Sequence, residues 1–121
     1  MYFDTHAHYD DEAFEADRDA LLENLYKSGV ELIINPGCTL ESSRKAILLA
    51  ETHPFVYAAV GIHPEELDDY TEDALSEIGR LASHPKCAAI GEIGLDYYWD
   101  DTRKTEQKEL FLRQAELAAR L

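Results

Sequence analysis

The sequence predicts an α/β protein in which strand and helix alternate four times. Three observations lead there. Short runs of branched apolar residues alternate with longer stretches of helical periodicity, and strand starts fall about 25–32 residues apart, near the ~30 residues of a βα unit. No linker or low-complexity stretch divides residues 1–121, which read as a single partial domain. An eight-fold βα barrel takes about 250 residues. The 121 residues present therefore make either an open four-stranded parallel sheet or the first half of a barrel, with helices outside.

The first strand opens at Met1-Tyr2-Phe3 and runs through Asp4-Thr5-His6-Ala7-His8. Successive strand side chains point to opposite faces, so Asp4, His6 and His8 share one face. A polar loop over residues 9–12 leads to a helix over 13–28, with Phe14, Leu21, Leu22 and Leu25 as its apolar stripe and Gly29 as its stop. Val30-Glu31-Leu32-Ile33-Ile34-Asn35 is a strand ended by Pro36-Gly37. Thr39 caps a helix over 40–52 that turns Ala46, Ile47, Leu49 and Ala50 inward. His53-Pro54 breaks that helix, and residues 55–60 form the third strand.

Gly61-Ile62-His63-Pro64 leads out of the third strand into an acidic loop over 65–70. Thr71 caps the next helix, with Glu72 and Asp73 at its positive end and Leu75, Ile78, Leu81 and Ala82 as its buried stripe. His84-Pro85 breaks it. The fourth strand covers 87–90 and runs into Gly91-Glu92-Ile93-Gly94-Leu95-Asp96-Tyr97-Tyr98, then Trp99, Asp100 and Asp101. A last helix from about residue 105 onward places Leu110, Gln114, Leu117 and Leu121 on one face.

The chain is 45% hydrophobic, enough for a core, and has no apolar run near the ~20 residues of a membrane span. No signal peptide is visible, so a soluble, cytoplasmic protein is expected. The net charge of −14 argues against a passive nucleic-acid binder, which needs a basic footprint. It leaves room for an enzyme that meets phosphates through bound cations, because the ions invert the local field. Cys38 follows one strand and Cys87 begins another. They belong to opposite sheet ends about 15 Å apart at ~3.3 Å per residue, beyond disulfide reach, so both are expected reduced.

In parallel βα folds chemistry gathers at the carboxyl ends of the strands. His6, His8, His63 and Glu92 fall on that rim. His53 and His84 follow helices and belong to the opposite rim, where they are expected only to stop helices. Paired imidazoles two residues apart suit one cation. Glu92, between two glycines, is placed to bridge two cations with one oxygen on each. Asp4 is expected to orient or hydrogen-bond rather than to bind metal. Asp96, Tyr97 and Tyr98 lie just past the rim, where aromatics either stack on a base or pack into the core.

Phe3-Asp4-Thr5-His6-Ala7-His8, Gly61-Ile62-His63-Pro64 and Gly91-Glu92-Ile93-Gly94-Leu95-Asp96-Tyr97-Tyr98 closely resemble the TatD-type metal-dependent deoxyribonucleases of the amidohydrolase-like superfamily. The resemblance runs the length of the chain, in order and with the family's spacing. It implies the (βα)4 half of a TIM (β/α)8 barrel and two divalent metal cations, Mg, Mn or Zn. It implies that His6 and His8 hold one ion, that Glu92 bridges both as the catalytic carboxylate, and that His63 lines the substrate phosphate site. The implied reaction is hydrolysis of DNA phosphodiesters, often as a 3′ exonuclease, by a metal-activated water.

The family's remaining ligands, two histidines and an aspartate, come from strands five to eight, which this sequence does not contain. The chain is therefore expected to be inactive alone and to require a missing carboxyl-terminal half or a second half-barrel chain, since a half barrel exposes two sheet edges. Two other readings compete: a related amidohydrolase-like hydrolase of esters or amides, and a non-catalytic half-barrel assembly module. Glu92 argues against the first, because many such relatives place a lysine at the end of strand four.

Overall fold

A computed structural model describes residues 1–121. Four strands, β1 (Tyr2–Asp4), β2 (Val30–Pro36), β3 (Val56–Val60) and β4 (Cys87–Ile90), alternate with four helices, α1 (Arg18–Lys27), α2 (Leu40–Thr52), α3 (Glu72–Ala82) and α4 (Lys104–Arg120). The strands form one parallel sheet in the order β1-β2-β3-β4. An order without a switch point, joined by right-handed crossovers, puts every helix on the same face of the sheet. That is half of a βα barrel, not a doubly wound sheet, which would carry helices on both faces.

The core lies between sheet and helices. Leu22 of α1, Ile33 of β2, Ala46 of α2, Val56 and Val60 of β3, and Ile78 of α3 are all fully buried there. The central strands are covered and the outer ones are not. Tyr2 and Phe3 of β1 and Ala88 and Ala89 of β4 are exposed, because each edge strand lacks a neighbour on one side.

The second helix matches the sequence pattern from end to end. The Thr39 hydroxyl accepts from the Ser42 N–H at 3.0 Å, and the Ser42 hydroxyl accepts from the Thr39 N–H at 2.9 Å. This reciprocal cap fixes the first turn. Thr71 caps α3 the same way on one side, accepting from the Ala74 N–H at 3.0 Å. Gly29, at φ +98°, ends the first helical segment in the left-handed conformation that side chains avoid.

Three expected boundaries move. The first strand ends at Asp4, not at His8, because the Asp4 carboxylate accepts from the His6 N–H at 3.2 Å and draws the backbone out of the ladder. The helix expected over 13–28 is a 3-10 turn, Glu12–Phe14, followed by α1 from Arg18. Arg18 folds back to donate to the carbonyls of Tyr9, Asp10 and Asp11 at 2.6, 3.3 and 3.0 Å. Phe14 leaves the helix and packs on Tyr9, ring centroids 5.5 Å apart. At the other end, α4 stops at Arg120 and Leu121 is 65% exposed, so it does not belong to the buried stripe.

Both cysteines are free. No helix is long and apolar enough to cross a membrane.

Helices α2 and α3 are tied on the surface by Glu77, which accepts from Arg44 at 3.1 Å and from Arg80 Nε at 2.9 Å. The two guanidiniums hold the Glu77 carboxyl down to about 2, below its ordinary 4.5. A carboxylate with a depressed folded-state value stabilises the fold above its ordinary value, and the effect is lost as pH falls toward the depressed one. Glu77→Gln is therefore expected to lower the melting temperature at pH 7, with the gap from the parent closing between pH 4.5 and about 2. A gap that widens as the pH falls would contradict the pairing.

Candidate metal centre at the carboxyl rim

The site is built from the chain that leaves β1, β3 and β4. His6 and His8 follow β1, two residues apart, with rings edge to face at 5.1 Å. Their Nε2 atoms lie 3.2 Å apart. Glu92 Oε2 sits 3.4 Å from His6 Nε2 and 3.7 Å from His8 Nε2. A cation bonded at about 2.1 Å holds adjacent donors about 3.0–3.4 Å apart in octahedral or tetrahedral geometry. Two imidazole nitrogens and a carboxylate oxygen at this spacing fit such an ion, and their donor atoms all lie within 4.8 Å of one another.

The other oxygen of Glu92 faces the opposite way. Oε1 lies 3.7 Å from His63 Nε2. The two oxygens of one carboxylate thus address two different histidine groups. Backbone contacts hold Glu92 there. Its N–H donates to the Gly37 carbonyl at 2.8 Å, and the Gly91 N–H donates to Val60 O at 3.0 Å. Gly61 packs against that turn so closely that a Cβ would sit 2.9 Å from the Gly91 carbonyl carbon.

His63 differs from His6 and His8 in its hydrogen bonding. Its Nδ1 accepts from the Glu65 N–H at 3.2 Å. A neutral imidazole with one nitrogen accepting carries its proton on the other. His63 therefore presents Nε2–H toward the site as a donor. His63, Glu65 and Asp96 also bring donor atoms within 4.8 Å of one another. The engaged Nδ1 makes that group a loop turn, not a second three-ligand cation site.

His53 and His84 are on the opposite rim. His53 is the last-turn cap of α2 and lies 3.1 Å from Asp19 on α1. His84 lies 3.1 Å from Glu51. Asp4 contacts the His6 backbone, as already described, in an orienting position. Tyr97 is half-buried beneath Lys104, whose ammonium lies 5.1 Å from its ring centre, while Tyr98 is exposed.

Sequence reasoning missed the residues that fix the rim loops. Gln114 of α4 is fully buried; its Oε1 accepts from the Ile62 N–H at 2.8 Å and its Nε2 donates to Ile62 O at 2.9 Å. Gln107, seven residues earlier, makes the same pair of bonds with Asp96, at 2.8 and 2.6 Å. The buried Ser43 hydroxyl bridges the Gly61 N–H and C=O at 3.1 and 3.2 Å. The buried Asn35 amide accepts from the Asp10 N–H at 3.2 Å and donates to the Asp10 carboxylate at 2.8 Å. The available signal was a polar residue inside an apolar helical stripe, as at Gln107 and Gln114.

Cys38 was also missed as a neighbour of the site. Its Sγ lies 3.7 Å from Glu92 Oε2. Burial, reinforced by the Glu92 carboxylate, pushes the thiol up to about 11, so it is protonated at neutral pH.

A barrel-type βα half-domain with paired imidazoles and a carboxylate at its carboxyl rim belongs to the metal-dependent hydrolases in architecture. Comparison narrows the class. Residues 3–121 match the family described as TatD related DNase, and the chain belongs to that family. It is 42% identical over 118 residues to the uncharacterized metal-dependent hydrolase YabD of Bacillus subtilis (strain 168), covering 98% of this chain and 46% of the relative. It is 38% identical over 120 residues to the 3′-5′ ssDNA/RNA exonuclease TatD of Musicola paradisiaca (strain Ech703), again covering 98% of this chain and 46% of the relative. The crystal structure of YjjV, a TatD homologue from Escherichia coli K12, superimposes with a TM-score of 0.89 at 35% identity over 98% of this chain and 47% of that one. The chain thus spans about half the length of the relatives it matches.

Gln114→Leu leaves one buried N–H and one buried C=O of Ile62 unpaired, at about 1–3 kcal/mol each. It is expected to cost roughly 2–6 kcal/mol in urea unfolding; a change below about 0.5 kcal/mol, the range of an ordinary surface substitution, would show that the clamp is dispensable. With metal chelated at pH 8, Cys38 is expected to react with iodoacetamide more slowly than in the unfolded chain, as read by peptide mapping. Equal rates would contradict the protonated, half-buried thiol.

Proposed function

We propose that this chain is the amino-terminal half of a metal-dependent deoxyribonuclease that hydrolyses phosphodiesters from the 3′ end of single-stranded DNA. The observation that carries the proposal is the convergence of His6, His8 and Glu92 at cation spacing, beside a histidine that presents a proton. In this reading His6, His8 and Glu92 would hold the divalent cations that the reaction uses. Mg, Mn and Zn all suit imidazole and carboxylate donors. When bound, such cations act as Lewis acids, lowering the pKa of water and stabilising charge on phosphoryl oxygens.

The chain's own residues do the rest. The His63 Nε2–H donates to an anionic oxygen of the substrate and positions the phosphate. Cys38 contributes an S–H beside Glu92 Oε2 and helps hold that oxygen toward His6 and His8. Overall a water oxygen bonds to phosphorus as one ester P–O bond breaks, and a proton from that water ends on the departing oxygen, which leaves as a hydroxyl. The net charge of −14 repels DNA, so the cations also supply the attraction that the protein surface lacks. The relative named as an ssDNA/RNA exonuclease supports the substrate class.

The second half of the proposal is completion. An all-apolar groove of about 410 Å³ lies between Ala82, the β4 residues Ala88, Ala89 and Ile90, and Ala118 and Leu121. It runs along the unpaired edge of β4, where a next βα unit would pack. Its occupant is the carboxyl-terminal half of a full barrel, as the doubled length of the relatives implies. A second copy of this chain is the competing occupant.

Alone, the chain is expected to bind Mn or Zn weakly in calorimetry and to show little cleavage of 5′-labelled single-stranded DNA. Adding the separately expressed carboxyl-terminal half of the Bacillus relative is expected to restore 3′-end trimming that is abolished by EDTA and by Glu92→Gln. Vigorous metal-dependent cleavage by the 121-residue chain alone would overturn the incompleteness. A reconstituted barrel that hydrolyses small esters but no DNA would overturn the nuclease.

A further inference from the structure

We infer that Tyr98 and Trp99 form a platform on which an unpaired nucleobase of single-stranded DNA stacks beside the metal centre; this rests on the nuclease reading above. In this half barrel the two rings are among the most exposed large apolar groups, at 81% and 74%. They pack edge to face, ring centroids 4.6 Å apart at an interplanar angle of 89°. In that arrangement one ring uses only its edge and keeps both faces free, and the other keeps one face free. Flat, uncovered aromatic faces accept any base, because every base has a π-face.

The platform is placed at the site and held there. It lies on the segment between Glu92 and α4, so it shares the carboxyl rim. A cleft of about 130 Å³ runs from Pro64 and Glu65, in the turn that orients His63, to Trp99. A base against Trp99 therefore lies along a cleft whose far wall, Pro64 and Glu65, directly follows in the chain the histidine proposed to hold a phosphate. The segment is pinned on both sides of the rings. Asp96 is clamped by Gln107 and its carboxylate accepts from the Tyr98 N–H at 2.9 Å. Asp100 accepts from the Thr102 N–H at 2.8 Å and hydroxyl at 2.6 Å. Rings on an ordered segment lose little freedom on binding.

Charge excludes the usual alternative, a grip on the phosphate backbone. The cleft is lined by Glu65, Asp96 and Asp100, and its one cation, Arg103, is already paired with Asp68 at 2.7 Å and Glu106 at 2.8 Å. What the surface offers a nucleic acid here is an uncharged face.

Trp99 is the single tryptophan of the chain, so its emission reports directly on the platform. The test titrates the 121-residue protein, with Mg present, with a phosphorothioate single strand and with an abasic strand of equal length and charge. The base-bearing strand is expected to quench Trp99 and the abasic strand is not. By anisotropy of a labelled strand, Tyr98→Ala and Trp99→Ala are each expected to weaken binding about five-fold or more, with Trp99→Phe restoring most of it. Equal quenching by both strands, no quenching by either, or unchanged affinity in both alanine variants would overturn the platform. Trimming by the reconstituted barrel separates the two readings: if it persists in Tyr98→Ala/Trp99→Ala at full rate the platform alone fails, and if the parent barrel trims no DNA the nuclease reading fails with it.

Discussion

The rim of this half barrel depends on buried polar side chains that hydrogen-bond loop backbone. Five polar or charged residues are buried in the chain, and four of them (Asn35, Ser43, Gln107 and Gln114) reach a loop at the carboxyl end of the sheet. A backbone N–H or C=O withdrawn from water needs a partner, and a buried side chain without one is costly in its own right. Each clamp satisfies both requirements at once. The loops after β1, β3 and β4 are therefore tied to the packed body of the fold, which brings His6, His8, His63 and Glu92 within a few ångströms of each other.

The histidines show how position in the fold assigns a role. His63-Pro64-Glu65 and His84-Pro85-Lys86 form the same local turn: the imidazole Nδ1 accepts the N–H two residues on, at 3.2 and 3.1 Å. Each Nε2 faces a carboxylate, Glu92 in one case and Glu51 in the other. The chemistry of the two turns is the same. What separates them is sheet polarity, since one turn follows a strand and the other a helix. Only the first shares a rim with paired imidazoles.

The half barrel also explains the uneven burial of the sheet. β3, with strands on both sides, is almost wholly buried, while β1 and β4 each leave one edge open. Natural proteins blunt such edges or cover them. Here the β4 edge instead borders an apolar groove, and the matched relatives carry about twice the length. The covered helix face and the uncovered sheet edge have one origin: each unit packs its helix on the sheet, whereas a strand edge is satisfied only by a neighbouring strand.

Much of this was legible in the residues. Branched runs ended by Pro-Gly or led out by Gly-x-His-Pro marked the second and third strands, and Thr39 and Thr71 marked two helix starts, because caps and turns are local chemistry. The three motifs fixed the family. The first helix starts later than its periodicity predicts because Arg18 satisfies loop carbonyls seven to nine residues back, a contact no local pattern encodes. The first strand was drawn too long because one Asp4 oxygen competes for a ladder donor.

The sequence by itself determined the alternation of strand and helix, the rim on which each histidine falls, and the residue types able to hold a cation. Tertiary structure alone decided that Glu92 turns one oxygen to His6 and His8 and the other to His63. It also decided that Gln107 and Gln114 serve loops rather than solvent, and that Cys38 borders the carboxylate. Those facts are contacts between segments up to 86 residues apart, and they exist only once the sheet has set the spacing of its strand ends.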